Sequence, residues 1–281
     1  MLRILCIHGG GSSSEIFESQ TTALRSLLPN SWEWVFHDAE LECAPLPSIK
    51  NLYPGPYFTF FLVPSVSRMN ELHEWFLNLI EEEGPFDGLM GFSMGGYVPL
   101  SLMLKRQKHY PLMPPLFRFM VFWGGNLPWS ADQEEGIEVT DWILAHRLVP
   151  PDIEDIRSFN AWAAEHPDDR PDPDDPTGIN PALHPLIPGW LAGKVFDRRN
   201  YYTRVYHPDV TQTRLQIPTL HVLGKADEVY GGSKRMAELC NAKTRVVYEH
   251  KGGHDVPRDR TDILRIKELF EKTVARSQQL A

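Results

Sequence analysis

The chain has 281 residues, 42% hydrophobic and 23% charged, the balance of a soluble globular protein with ample material for a large core. A formal charge of −9 at pH 7 excludes a nucleic-acid binder, which needs a basic surface to displace counterions from phosphate. Cys6, Cys43 and Cys240 are too few and too far apart for a disulfide framework or a zinc site, so no metal is expected and a reducing compartment fits best.

Apolar runs bounded by Gly, Pro or Asp alternate with amphipathic stretches, which predicts an α/β fold: a mostly parallel sheet with helices on both faces. "MLRILCIHGG" is too short an apolar run for a signal peptide or a membrane helix, so a cytoplasmic protein with no membrane attachment is the expectation. Residues 2–7 predict the first strand, followed by the glycine loop "HGGGSSS". Ser14 is the expected cap of a helix whose Ile16, Phe17, Ala23, Leu24, Leu27 and Leu28 share one face. Residues 32–39 predict the second strand. The stretch "CAPLPSIKNLYPGPYFTFFLVP" has neither helical nor strand period, and a loop of that length is often functional.

A helix over 69–83 follows, then the strand "FDGLMGF", the helix "SMGGYVPLSLML" and a strand over 117–125. From 126 to 212 the pattern dissolves into a Pro-punctuated stretch with the acidic run "EHPDDRPDPDDPTG" and the aromatics Trp129, Trp142, Trp162, Trp190, Phe196, Tyr201, Tyr202 and Tyr206. This reads as a lid or cap inserted into a core made of 1–125 and 213–281. Regular spacing returns with a strand over 217–224, a helix over 231–241, a strand over 244–250 and a helix over 260–277.

The chemistry begins with "GFSMG". A serine that must leave the sheet at a strand-to-helix junction needs glycines on both sides, and Gly91 and Gly95 supply them around Ser93. A weak serine nucleophile needs a base and an orienting carboxylate, expected later in the chain at strand ends. Asp227 in "GKADEVY" and His254 in "GGHDVP" hold those places; Glu228 is the alternative carboxylate, while His221 and His250 are placed worse for a base. Gly10 and the backbone N–H of Met94 are the expected oxyanion donors, with Gly11 in reserve and His8 ordering the loop. "GGGSSS" lacks the features of a phosphate cradle.

"LRILCIHGGGSSSEIFESQ", "PFDGLMGFSMGG", "IPTLHVLGKADEV" and "GGHDVP" resemble the fungal family of small serine hydrolases within the α/β-hydrolase superfamily, which includes esterases and thioesterases found with polyketide synthases. The resemblance spans nearly the whole chain except about 126–212. It implies an α/β-hydrolase fold with Ser93 as nucleophile, Asp227 as acid and His254 as base. It also implies hydrolysis of an ester or thioester without a cofactor, extending to release of a polyketide acyl chain from an acyl carrier protein. Met94 stands where a Gln is common, and "GGG" where a bulkier residue often follows "HG".

On the substrate side the expectation falls on Gly11, Tyr57, Trp123 and Trp129; the aromatic-rich insertion and the loop around Tyr53, Tyr57, Phe58, Phe60 and Phe61 suit an apolar acyl group or form the packed core of the lid. Arg198, Arg199 and Arg204 in "DRRNYYTR" are the basic candidates for a carrier partner, or a solvated face. A general carboxylesterase on small soluble esters, and a non-catalytic binding protein on the same fold, are the alternatives.

Overall fold

The computed structural model describes residues 1–46, 48–145, 152–165 and 202–279. The acidic Asp-Pro run, Trp190, Phe196, Arg198, Arg199, Tyr201 and the side chain of Trp162 lie outside the described residues.

Six parallel strands form the central sheet in the order β10-β9-β6-β5-β1-β2. These are β1 (Arg3–Ile7), β2 (Glu33–His37), β5 (Gly88–Phe92), β6 (Phe119–Trp123), β9 (Thr219–Gly224) and β10 (Arg245–His250). Short pairs β3 (Leu41–Glu42) with β4 (Phe58–Thr59), and β7 (Ile137–Glu138) with β8 (Arg204–Val205), run antiparallel. The helices are α1 (Ser14–Arg25), α2 (Val66–Glu83), α3 (Met94–His109), α4 (Thr140–Ala145), α5 (Ile153–Glu165), α6 (Tyr230–Glu238) and α7 (Arg260–Gln279). This is the parallel α/β sheet that the alternating pattern predicts and the α/β-hydrolase fold that the resemblance implies. No described helix is long and apolar enough to cross a membrane.

Strands β5, β6 and β9 are buried along their whole length, which is why "GLMGF", "FMVFW" and "TLHVLG" read as continuous apolar runs. Their side chains alternate between two layers. Leu5, Ile7, Leu89, Met120 and Phe122 face α2 and α3, while Ile4, Cys6, Met90, Val121, Trp123 and Val222 face α1 and α7. Each fully buried aliphatic or aromatic side chain contributes about 1.5–3 kcal/mol. The edge strand β2 is only half-buried and carries the polar Glu33 and His37.

The caps of two helices differ from the sequence expectation. Ser13 is the cap of α1: its extended backbone (φ −146°, ψ 168°) lets Oγ accept from the Ile16 N–H, whereas Ser14 is already helical and its N–H donates to Asp38. Helix α2 begins three residues early, because Ser65 caps it through the Arg68 N–H.

The described flanks of the 126–212 segment pack into the layer that holds α2 and α3. Leu127, Trp129, Ala131, Val139, Ile143, Val205 and Tyr206 are buried there. Arg204 stitches the segment together, donating to the carbonyls of Glu135 and Gly136 and to the Tyr202 hydroxyl. Its fork is occupied internally, which corrects its expected place in a basic face for a partner.

Candidate active site

The chain runs from β1 to β2 at one edge and then returns on the other side of β1 to build β5, β6, β9 and β10. The switch point therefore lies between β1 and β5, and the crevice beyond their carboxyl ends is where such sheets place ligands. Two loops enter it: the glycine loop after β1 and the turn after β5.

Ser93 occupies that turn with φ 52° and ψ −117°, and it is the one non-glycine residue with positive φ among the described residues. Its N–H donates to the Trp123 carbonyl and its carbonyl accepts from Gly96 and Tyr97, so one residue ends β5 and starts α3. A Cβ on Gly91 would lie 2.2 Å from the Gly95 carbonyl oxygen, and one on Gly95 would lie 2.2 Å from the Ile7 carbonyl oxygen. Both glycines are steric requirements. Pro99 has no N–H to offer the Gly95 carbonyl one turn earlier, which leaves that oxygen packed over Gly91.

Asp227 and His254 follow β9 and β10, and backbone bonds sew their loops together: Lys225 N–H to His250 O, and Ala226 N–H to Gly252 O. Gly224 permits this closeness, since a Cβ there would meet the Gly253 carbonyl oxygen at 2.0 Å. The His254 Nδ1–H donates to Asp227 Oδ2 at 2.7 Å, and Asp227 Oδ1 accepts from the Val229 N–H at 2.9 Å. The carboxylate is nearly dry, at 2% side-chain exposure against 27% for the imidazole. With both oxygens committed, it fixes the tautomer and leaves His254 Nε2 as the basic nitrogen. Glu228 is exposed and takes no part.

The imidazole is braced by the Phe92 ring, centroids 4.9 Å apart, and by the backbone of Gly124. Gly124 (φ +59°) passes so close that a Cβ would sit 3.0 Å from His254 Cε1. Sequence reasoning missed this residue and its neighbour Gly125 (φ +133°), whose carbonyl accepts from Ser233 Oγ at 2.6 Å. The glycine pair closing β6 was the available signal. Among the described residues no hydrogen bond joins the Ser93 hydroxyl to His254; such contacts are often long in enzymes without bound substrate.

The other histidines have different work. His8 is fully buried: its Nδ1–H donates to Gly9 O at 2.6 Å and its Nε2 accepts from the Ala39 N–H at 3.0 Å. Burial lowers its pKa, so it orders the loop as a neutral ring. His221 is buried in β9, stacked on Phe122 and pushed down to about 3 by burial, then by Arg245. His250 accepts from the Gly252 N–H, and burial lowers its pKa as well.

Gly10 and Met94 abut, for a Cβ on Gly10 would lie 2.7 Å from Met94 Sδ. Met94 is the first residue of α3, where N–H groups have no partner within the helix. Gly11 (φ +66°) differs: its N–H donates to Phe58 O and its carbonyl accepts from Leu46, so it ties the glycine loop to β4 rather than facing a substrate oxyanion. Tyr57 is half-buried on its own loop, its hydroxyl bound to Tyr53 O. Trp123 and Trp129 correct the substrate-side expectation. They are 1% and 0% exposed, packed in the two core layers, and present no surface to a ligand.

A sequence model of the family described as "Serine hydrolase (FSH1)" matches residues 1–266. The esterase alnB of Emericella nidulans is 28% identical over 283 residues, covering 94% of this chain and 93% of its own length. The hydrolase FUB4 of Fusarium oxysporum f. sp. lycopersici is 27% identical over 284 residues, covering 97% and 98%. A solved structure of a monoacylglycerol lipase from Paleococcus ferrophilus aligns over 98% of this chain and 94% of its own at 16% identity, with a TM-score of 0.49.

Proposed function

Because the chain belongs to the FSH1 serine hydrolase family, and is therefore a hydrolase of the esterase type, we propose that Ser93, His254 and Asp227 form its catalytic triad. Ser93 Oγ attacks the acyl carbonyl while His254 Nε2 takes its proton and Asp227 stabilises the imidazolium. The oxyanion is met by the N–H groups of Gly10 and Met94. Proton return from His254 expels the alcohol or thiol, and the same nitrogen then activates the water that cleaves the acyl-enzyme. The chief support is the buried Asp227 carboxylate that holds His254 at 2.7 Å, together with the positive-φ turn that holds Ser93 at the end of β5.

Intact-mass analysis after a fluorophosphonate tests this reading. A single adduct is expected on the wild type and none on Ser93→Ala, with hydrolysis reduced by about 10⁴-fold or more. An adduct that persists on Ser93→Ala removes Ser93 from the role.

For the substrate we propose an apolar acyl chain of polyketide type, held as a thioester on an acyl carrier protein, with the 126–212 segment as its cap. Support comes from the family resemblance and from Tyr57 and Phe58, on a loop that Gly11 ties to the glycine loop, whereas Phe60 and Phe61 of that loop are packed in the core. A carrier-linked acyl thioester is expected to exceed a short p-nitrophenyl ester in kcat/KM. The opposite order assigns the protein to general carboxylesterases, and stoichiometric binding without turnover makes it a receptor.

A further inference from the structure

A second cavity lies at the other end of the sheet, where α3 ends and the chain enters β6 and β9. Its volume is about 380 Å³, within the range of small-molecule sites, and its walls include Met103, Tyr110, Met113, Pro115 and Ile217. Along α3 it stands about 20 Å from Ser93 at 1.5 Å per residue, so it is no part of the crevice described above.

Its polar groups are unequal. Gln107 accepts from the Gln216 N–H and donates to Arg214 O, and Gln216 in turn donates to Arg214 O and accepts from Asn241. Those amides are spent on the wall itself. Arg106 is not: among the described residues its guanidinium has no carboxylate, hydrogen-bond or ring partner, although it is half-buried against the cavity. Its neighbours Lys105 and Lys108 are engaged, Lys105 with Asn70, and Lys108 with Asp132 and Glu135. A lone guanidinium facing apolar walls asks for an anion whose body is apolar. The rim is apolar as well: Tyr110 and Met113 are 57% and 54% exposed.

We propose that this cavity binds an aliphatic or aromatic carboxylic acid, its carboxylate on Arg106 and its body between Met103, Tyr110, Met113 and Ile217. An acid released by ester hydrolysis belongs to that class, but the site stands independently of the triad assignment. Calorimetric titration with octanoate and with octanamide, its uncharged counterpart, tests it on the full chain. Octanoate is expected to bind the wild type at least tenfold more tightly than octanamide. Arg106→Gln is expected to lose about tenfold for octanoate with octanamide unchanged, and Met113→Asp to lose octanoate binding, while ester hydrolysis by both variants stays at the wild-type rate. Octanoate affinity unchanged in both variants, or no binding by the wild type at millimolar concentration, overturns the proposal. Competitive inhibition by octanoate that is insensitive to Arg106→Gln assigns its binding to the catalytic crevice and overturns it equally.

Discussion

At Ser93 the backbone sits in a region that costs a side-chain-bearing residue about 1–3 kcal/mol, held there by the close contacts of Gly91 and Gly95. Glycine adopts that geometry freely, so Ser93→Gly should stabilise the fold by up to about 1 kcal/mol, read as a higher urea midpoint, while abolishing hydrolysis. Gly124 gives the complementary case. Gly124→Ala places a methyl group 3.0 Å from His254 Cε1 at a positive φ, so the imidazole or the Gly124 backbone must shift and the His254–Asp227 geometry is disturbed. Steady-state kinetics should show kcat lowered by about tenfold to a hundredfold with KM nearly unchanged. Ser93 was legible because its demand is local, a serine and two glycines within five residues. Gly124 was not, because what constrains it arrives from a loop 130 positions later.

Helices α2 and α3 and the start of the 126–212 segment meet at a buried hydroxyl. Ser101 Oγ donates to the Trp129 carbonyl at 2.6 Å and pairs with His73 Nε2 at 3.1 Å. Ser101→Ala leaves that carbonyl without its donor in a dry core and should cost about 1–3 kcal/mol in urea unfolding, with hydrolysis at 25 °C little changed. This joint explains why the elements were unevenly legible. Strands and helices of the core announce themselves by apolar runs or helical spacing. The stretch from Asn126 to Asp132 is fixed instead by side-chain-to-backbone bonds from α2 and α3, Ser101 to Trp129 and Asn70 to Ala131, which leave no period to read. The same stretch misled on Trp129, since aromatic content says nothing about which way a ring faces.

The whole molecule carries histidines that its folded state keeps neutral. His73 and His221 are both pushed from 6.5 down to about 3, by burial first and then by the charges of Lys105 and Arg245 respectively. The unfolded chain takes up those protons below pH 6.5 and the folded chain refuses them until about pH 3. Stability is therefore complete above pH 6.5 and is lost as pH falls through that window, by up to about 1.4 kcal/mol per pH unit for each histidine. Urea midpoints measured from pH 7.5 to 4.5 should fall below 6.5, and His221→Leu should make the fall shallower. The lowered pKa values of His8 and His250 act in the same direction. Ser93, Asp227 and His254 could be picked out individually at strand ends. What brings the Asp227 and His254 loops together is strand order, set by the long-range pairing of β9 with β10.

The stitching of the Asp227 loop to the His254 loop has a temporal consequence. A ribosome delivers β5 and α3 long before β10, so with the triad proposed above a nascent chain displays Ser93 before its proposed proton acceptor exists. On that proposal, reactivity requires β10 to dock and bring the His254 loop against Asp227. On refolding from urea, esterase activity should thus recover no faster than burial of the β9–β10 pair read by hydrogen exchange, and a chain stopped before residue 245 should hydrolyse nothing however well its earlier strands assemble.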